Sequence, residues 1–172
     1  FDLCQKIISP SPFTSKFIND HYKIPQKKIR TIPFGVNFEK YSNIIKTKSE
    51  HQDKIRFGFV GLVNMRKGIR WLIDDLNKIL EKNKYSFELH LFGRIFIEEK
   101  KFLDNAKFKI VEYGFVDKEK INIFSNFDVL IHPSFIEGSA KCIYEGMASG
   151  LPIICTEESG SLVKDKVNGF II

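Results

Sequence analysis

From Ile55 onward, short apolar runs alternate with longer stretches of helical periodicity, a pattern that predicts repeated strand–helix units. The predicted strands are IRFGFVG (55–61), FELHLFG (87–93), FKIVEYG (108–114), DVLIHP (128–133), LPIIC (151–155) and GFII (169–172). Several end on Gly or Pro, where the chain must turn sharply. Ile69, Leu72, Ile73, Leu76, Ile79 and Leu80 recur at helical spacing, so a helix is expected over 68–82 with that stripe against the core. Further helices are expected over 96–105, 118–126 and 139–149, each after a strand. Six strands with intervening helices imply an α/β fold with a Rossmann-like, doubly wound parallel sheet.

The first 54 residues read differently. A short strand at KIIS, a helix from Pro12 to Tyr22 and a strand in KIRTIPFG are followed by NFEKYSNIIKTKSEHQDK, which is polar and weakly periodic. The expected division is therefore 1–36 as the tail of a neighbouring domain, 37–54 as a linker and 55–172 as the main domain. Phe1 is not a start residue, so the chain is expected to continue upstream.

Composition narrows the class. At 172 residues there is room for one domain with a real core but not for two of ordinary size. With 43% hydrophobic residues, 17 of them Phe alone in number, disorder is excluded. The net charge of +6 would suit nucleic acid or an anionic membrane, but the lysines interleave with acids, as in DDLNKILEKNK and FVDKEKIN. That is a solvated face, and nucleic acid is not expected as a partner. Cys4, Cys142 and Cys155 have no CxxC spacing, so neither a disulfide framework nor a zinc site is indicated. A reducing compartment follows. The run FGFVGLV is far shorter than the ~20 residues that span a bilayer, and no signal-peptide order is visible. A cytoplasmic protein is expected.

Ligands of open parallel sheets bind beyond the carboxyl ends of the strands, which directs attention to the loops there. The first is GLVNMRKG, Gly61 to Gly68, with Arg66 and Lys67 at the start of the expected helix. Two cations there oppose the helix dipole, and a bound diphosphate would remove the conflict. Two solvated surface cations, costing roughly a few tenths of a kcal/mol, fit the motif equally. The loop after the fourth strand is HPSFIEGSAKCIYEGMASGLP, in which Glu137 precedes an expected helix and Glu145 lies eight positions on. The small residues Gly138, Ser139 and Ala140 let a ligand approach the backbone amides, which suit hydroxyl or phosphate oxygens. One carboxylate could accept from sugar hydroxyls and the other hold a ribose. Taken singly, Glu137 also reads as an ordinary loop acid and Glu145 as an exposed helix residue.

The phrase PSFIEGSAKCIYEGMASGLPIICTEESGS closely resembles the E-x7-E signature of retaining GT-B glycosyltransferases, particularly family four. KIRTIPFGVNFEKY resembles that family's passage from acceptor to donor domain, IRFGFVGLVNMRKGIRWLI its first donor-domain strand and helix, and SLVKDKVNGFII its last strand region. The resemblance implies that residues 1–36 end the N-terminal acceptor domain and that 55–172 is a nucleotide-sugar (donor) binding domain, truncated at its C-terminus. It implies a sugar contact and charge stabilisation at the anomeric centre by Glu137, and a ribose contact by Glu145. It further implies sugar contacts by the amides of Ser139 and Ala140 beside Gly138, and diphosphate contacts by those of Lys141 and Cys142. Lys67 would pair with the diphosphate, Gly61 would open that loop, and Phe115 and Val116 would border the base. The implied donor is a UDP- or GDP-sugar, held without a metal. The implied acceptor is a glycan or lipid-linked molecule bound through the missing N-terminal domain, in surface-polysaccharide or lipopolysaccharide synthesis. Peripheral association of the full-length protein with the inner face of the membrane fits the same resemblance.

Two other classes compete. A noncatalytic nucleotide-sugar-binding module gains support from Leu62, which stands where many family members carry an arginine. A dinucleotide-dependent oxidoreductase would need G-x-G-x-x-G after the first strand and an acid ending the second, but the chain has GLVNMRKG and Phe92-Gly93-Arg94. His132, before Pro133, reads as a structural histidine, and His21, His51 and His90 show no ligand spacing. Cys142 and Cys155 read as small core residues, and Trp71 as partly buried. Arg66 is expected to replace the missing arginine only modestly. Arg66→Ala should weaken donor binding far less than Lys67→Ala, and equal losses in a calorimetric titration would reverse that ranking.

Overall fold

The structure is a computed structural model describing residues 3–44, 54–82, 85–116 and 121–172. It opens with a parallel strand pair, β1 (Ile7–Ser9) and β2 (Ile29–Thr31), joined by helix α1 (Pro12–Tyr22). Ser11 caps α1: its hydroxyl accepts from the Thr14 amide at 3.1 Å, with Pro12 in the first turn where no amide is needed. A short helix, α2 (Phe38–Ser42), follows.

The main unit runs through β3 (Lys54–Val60), α3 (Ile69–Lys82), β4 (Ser86–Phe92), α4 (Ile97–Leu103), β5 (Lys109–Gly114), β6 (Val129–His132), α5 (Lys141–Ala148), β7 (Ile153–Cys155) and β8 (Phe170–Ile171). Its six strands form one parallel sheet in the order β5-β4-β3-β6-β7-β8. This is the doubly wound, Rossmann-like sheet expected from the alternating pattern.

Strand alternation sorts the core into two layers. Phe57 pairs in register with Leu89 and Phe59 with Leu91, and this face packs under Ile69, Leu72, Ile73 and Leu76 of α3. Each such side chain contributes roughly 1.5–3 kcal/mol on full burial. Ile79, at the edge of the stripe, stays substantially exposed. On the other face, Phe92, Phe124, Phe127 and Leu130 pack with Ile143 of α5. Gly58 is required there, because a Cβ would fall 2.2 Å from the Phe127 ring.

Three expected helices are shorter than the periodicity suggests. The helix expected over 96–105 spans Ile97–Leu103. In 118–126 the structure gives a 3-10 turn over Ile121–Ser125. There Ser125 Oγ donates to the Asn122 carbonyl at 2.6 Å and Asn126 Nδ2 to the same oxygen at 3.0 Å, bonds that compete with helix propagation. In 139–149 the helix begins only at Lys141, because Ser139 and Ala140 bond to another loop. Within the stretch read as linker, Asn37 caps α2 through Oδ1 and the Lys40 amide at 3.0 Å. Tyr41 and Ile44 pack on the second core layer, with the Tyr41 ring edge-on to Phe124 at 5.7 Å. Residues 45–53, with His51, and 117–120, which include 118–120 of the expected helix, lie outside the described residues. No helix among the described residues is long and apolar enough to cross a membrane.

Gly68 joins the two halves of the sheet. Its φ is +73°, and a Cβ would lie 2.0 Å from the Pro133 carbonyl oxygen. Gly68→Ala is expected to cost about 3 kcal/mol in urea unfolding, from strain and overlap together. Gly114→Ala has a similar φ of +66° but open space around it, so about 1 kcal/mol is expected. Equal losses for the two would remove the close approach as the reason for glycine at 68.

Candidate functional site

The strand order reverses direction between β3 and β6, the position beyond whose carboxyl ends open parallel sheets bind ligands. The loops leaving these two strands are stitched together at their base. The Phe135 amide donates to the Arg66 carbonyl at 2.9 Å, and Ser134 Oγ lies 3.3 Å from the same oxygen. Arg66, on the 3-10 turn Met65–Lys67 that precedes α3, returns a contact from Nη1 to the Ile136 carbonyl at 3.5 Å. The edge of Trp71 meets the Phe135 ring at 4.6 Å. The turn after β7 closes the other side: the amides of Glu137 and Ala140 donate to the carbonyls of Glu158 and Ser159, each at 2.9 Å.

At the centre, Lys67 Nζ donates to Glu137 Oε1, and their side chains are only 11% and 13% exposed. Ser134 Oγ donates to the same carboxylate oxygen at 3.1 Å. Burial alone would raise the Glu137 carboxyl, but the Lys67 ammonium and Ser134 outweigh it and hold the group below the usual carboxylate value. The conflict between cations and helix dipole is thus met by a protein carboxylate: Lys67 and Glu137, read from sequence as contacting separate parts of a ligand, contact each other. Arg66 stays exposed.

Glu145, one turn into α5, is partly buried, with Lys141 Nζ 3.7 Å from Oε1. The Tyr41 hydroxyl lies in hydrogen-bonding reach of this carboxylate, and burial together with Glu145 pushes that phenol up to about 12. Lys67, Glu145 and Glu137 all lie close enough to the Cys142 thiol for their charges to act on it. Burial pushes that thiol up to about 12, so Cys142 is a packing residue and not a nucleophile.

The backbone amides divide. Those of Lys141 and Cys142 open α5, where a helix supplies no acceptors. The Ala140 amide, expected to meet a sugar, donates to the Ser159 carbonyl. The Gly61 amide likewise donates to the Phe92 carbonyl at 2.9 Å. Phe115, 83% exposed, and Val116, packed on the second core layer, sit beyond edge strand β5, two strands from β3. They are not brought against Lys67 or Glu137 among the described residues.

His132 ends β6 fully buried, its ring stacked on Phe59 at 5.4 Å. Nδ1 faces Cys142 Sγ at 3.5 Å, and Nε2 has no partner among the described residues. His90 bonds to Tyr113 and Glu88, each at 3.0 Å, and is structural. Sequence reasoning did not single out Ser11, Thr14, Tyr41 or Ser134. Only the S-P-F-T capping pattern of α1 carried a signal, and it pointed to a helix start and not to a site.

Residues 54–172 match the sequence profile of the family described as glycosyl transferases group 1, more than half of the chain, and the chain belongs to that family. It is similar to an uncharacterized glycosyltransferase of Methanocaldococcus jannaschii, 26% identical over 183 residues, covering 98% of this chain and 47% of that protein. The apo lipopolysaccharide outer core galactosyltransferase WaaB superposes with a TM-score of 0.78 at 18% identity, over 98% of this chain and 48% of that one. HepE of Anabaena, solved in complex with UDP-glucose, gives 0.73 at 20% identity, over 98% and 50%. The chain therefore spans about half the length of the relatives it matches. At these identities the solved structures show the fold, the Rossmann-like domain of GT-B glycosyltransferases.

Burial, then the Lys67 charge, depresses His132 to about 3 from an ordinary value of 6.5. The unfolded chain binds the extra proton first, so the stability contribution is complete above pH 6.5 and is lost as pH falls toward 3. Urea-unfolding free energy should drop by up to about 1.4 kcal/mol per pH unit through this window from this group alone. His132→Gln should flatten the profile between pH 6 and 4, roughly the middle of that window. An unchanged slope would place the titration elsewhere.

Proposed function

We propose that this chain is the donor-binding half of a retaining, family-four glycosyltransferase that moves a hexose from a UDP- or GDP-sugar to a glycan or lipid-linked acceptor. The observation that carries the reading is the buried Lys67–Glu137 pair at the strand-order reversal, beside the N-terminus of α5.

In this reading the diphosphate lies against the Lys141 and Cys142 amides, where the helix dipole favours negative charge. Lys67 shares its ammonium between Glu137 and a phosphate oxygen, so the carboxylate turns partly toward the sugar. Glu137 then stabilises positive charge developing at the anomeric carbon, while Lys67 and the amides stabilise the departing nucleoside diphosphate. Glu145 accepts from the ribose, and Phe115 and Val116 border the base. Cationic side chains and amides take the part a metal would otherwise play. The acceptor binds to a preceding domain, and the whole protein works in surface-polysaccharide or lipopolysaccharide synthesis at the cytoplasmic face of the membrane.

A second reading is a noncatalytic nucleotide-sugar-binding module. It rests on Leu62, half exposed on the β3 loop where an arginine would add a second diphosphate cation.

Calorimetric titration of the 172-residue chain with UDP, GDP and ADP tests the donor site directly. One nucleotide is expected to bind, with Lys67→Ala weakening it by roughly tenfold or more, as for loss of a charged hydrogen bond. No binding of any of the three would sink the proposal. The chain alone is expected to bind nucleotide without transferring sugar. In the complete protein, transfer from a panel of nucleotide sugars with an α-linked product from an α-linked donor is expected. Tight binding without turnover on any acceptor would favour the module.

A further inference from the structure

The Gly138 carbonyl receives two hydroxyl groups from a different part of the chain. Ser11 Oγ and Thr14 Oγ1 each lie 2.8 Å from it. The two hydroxyl oxygens also lie 2.9 Å apart, so one hydroxyl can donate to the other while its partner donates to the carbonyl, and either arrangement keeps the Gly138 oxygen hydrogen-bonded to this pair. Ser11 keeps its second role, accepting from the Thr14 amide to cap α1. Gly160, with φ +62°, encloses the carbonyl on a third side, since a Cβ there would lie 2.7 Å from Gly138 O and 2.9 Å from Ser11 Oγ.

A trans peptide is planar, so the N–H of Ser139 points directly away from the Gly138 carbonyl and therefore away from α1. The amides of Glu137 and Ala140 are engaged by the carbonyls of Glu158 and Ser159, whereas that of Gly138 has no protein acceptor among the described residues. The Ser139 amide has no protein acceptor among the described residues, although the side chain of Ser139 is anchored to the Gly160 carbonyl at 2.8 Å. The Ser139 amide thus sits on a peptide held through its carbonyl oxygen, two residues after Glu137 and followed by the engaged Ala140 amide. Hydrogen bonds to a carbonyl also polarise the amide of the same peptide, by roughly 10–30% per bond.

We infer that Ser11 and Thr14 are positioning residues for the donor's sugar: by clamping the Gly138 carbonyl they hold the Ser139 amide toward a sugar hydroxyl. This rests on the donor-site reading above, and it extends the site into a segment that precedes the family match at residue 54. The clamp acts on the sugar loop and not on the α5 amides proposed for the diphosphate. Affinity for a sugar nucleotide and for the free nucleotide should therefore separate.

The experiment compares UDP-glucose with UDP, and GDP-mannose with GDP, on the full chain and on Thr14→Val, Thr14→Ser and Ser11→Ala/Thr14→Val. Thr14→Val should weaken the sugar nucleotide about fivefold, the effect of one neutral hydrogen bond. It should leave the free nucleotide within about twofold, and Thr14→Ser should restore the difference. The double variant should lose more of the sugar-dependent increment. Parallel weakening of both ligands, or no change in either, would overturn the inference while leaving the donor site standing. An unsubstituted chain that binds neither nucleotide would instead remove the donor-site reading, and this inference with it.

Discussion

The approach of Gly68 to the Pro133 carbonyl is the contact on which the charged pair at the strand-order reversal depends. It occurs because β3 and β6 are sheet neighbours, so the chain segments leaving them must pass within backbone distance before they diverge. A side chain at position 68 would hold them apart. With glycine there, the Arg66 carbonyl reaches Ser134 and Phe135, and Lys67 is delivered to the level of Glu137. The geometry of the charged pair follows from a backbone contact made by the residue after Lys67 and the residue four before Glu137.

That pair adds little to stability. Two charges at about a tenth exposure lose most of their hydration, and their attraction returns little net free energy. The pair is held by Ser134 and flanked by the neutral, fully buried His132. A second cation in place of that imidazole would repel Lys67, and burial keeps it uncharged. The Glu145 neighbourhood is built differently, with the largely exposed Lys141 at 3.7 Å and a phenol, Tyr41, that burial and the Glu145 charge hold protonated. One glutamate is matched by a buried ammonium, the other by a hydroxyl and an exposed cation.

Much of this was legible in the sequence, for identifiable reasons. The α3 stripe and the apolar strands encode their own period, so the sheet and its helices could be read without reference to contacts. The E-x7-E phrase located Glu137 and Glu145, because short-range spacing survives in the linear sequence. Contacts across 70 residues do not, and so the direct Lys67–Glu137 bond was not anticipated. The same holds for the Ala140 amide, whose engagement depends on how closely Ser159 approaches. The helix expected at 118–126 failed for a local reason, since Ser125 and Asn126 offer the backbone alternative partners. Polarity around 37–44 suggested a connector, but two apolar side chains, Tyr41 and Ile44, were enough to seat it on the core.

The hydroxyls of Ser11, Thr14 and Tyr41 all lie ahead of the strand where the family match begins. A sheet unit transplanted into another protein from residue 54 onward would carry both glutamates and leave behind the Ser11 and Thr14 hydroxyls on Gly138 and the Tyr41 phenol that feels the Glu145 charge. The natural unit of exchange is longer than the sheet itself. Chimeras joined before β1 would keep these contacts, and those joined within 45–53 would have to find replacements for them in the recipient.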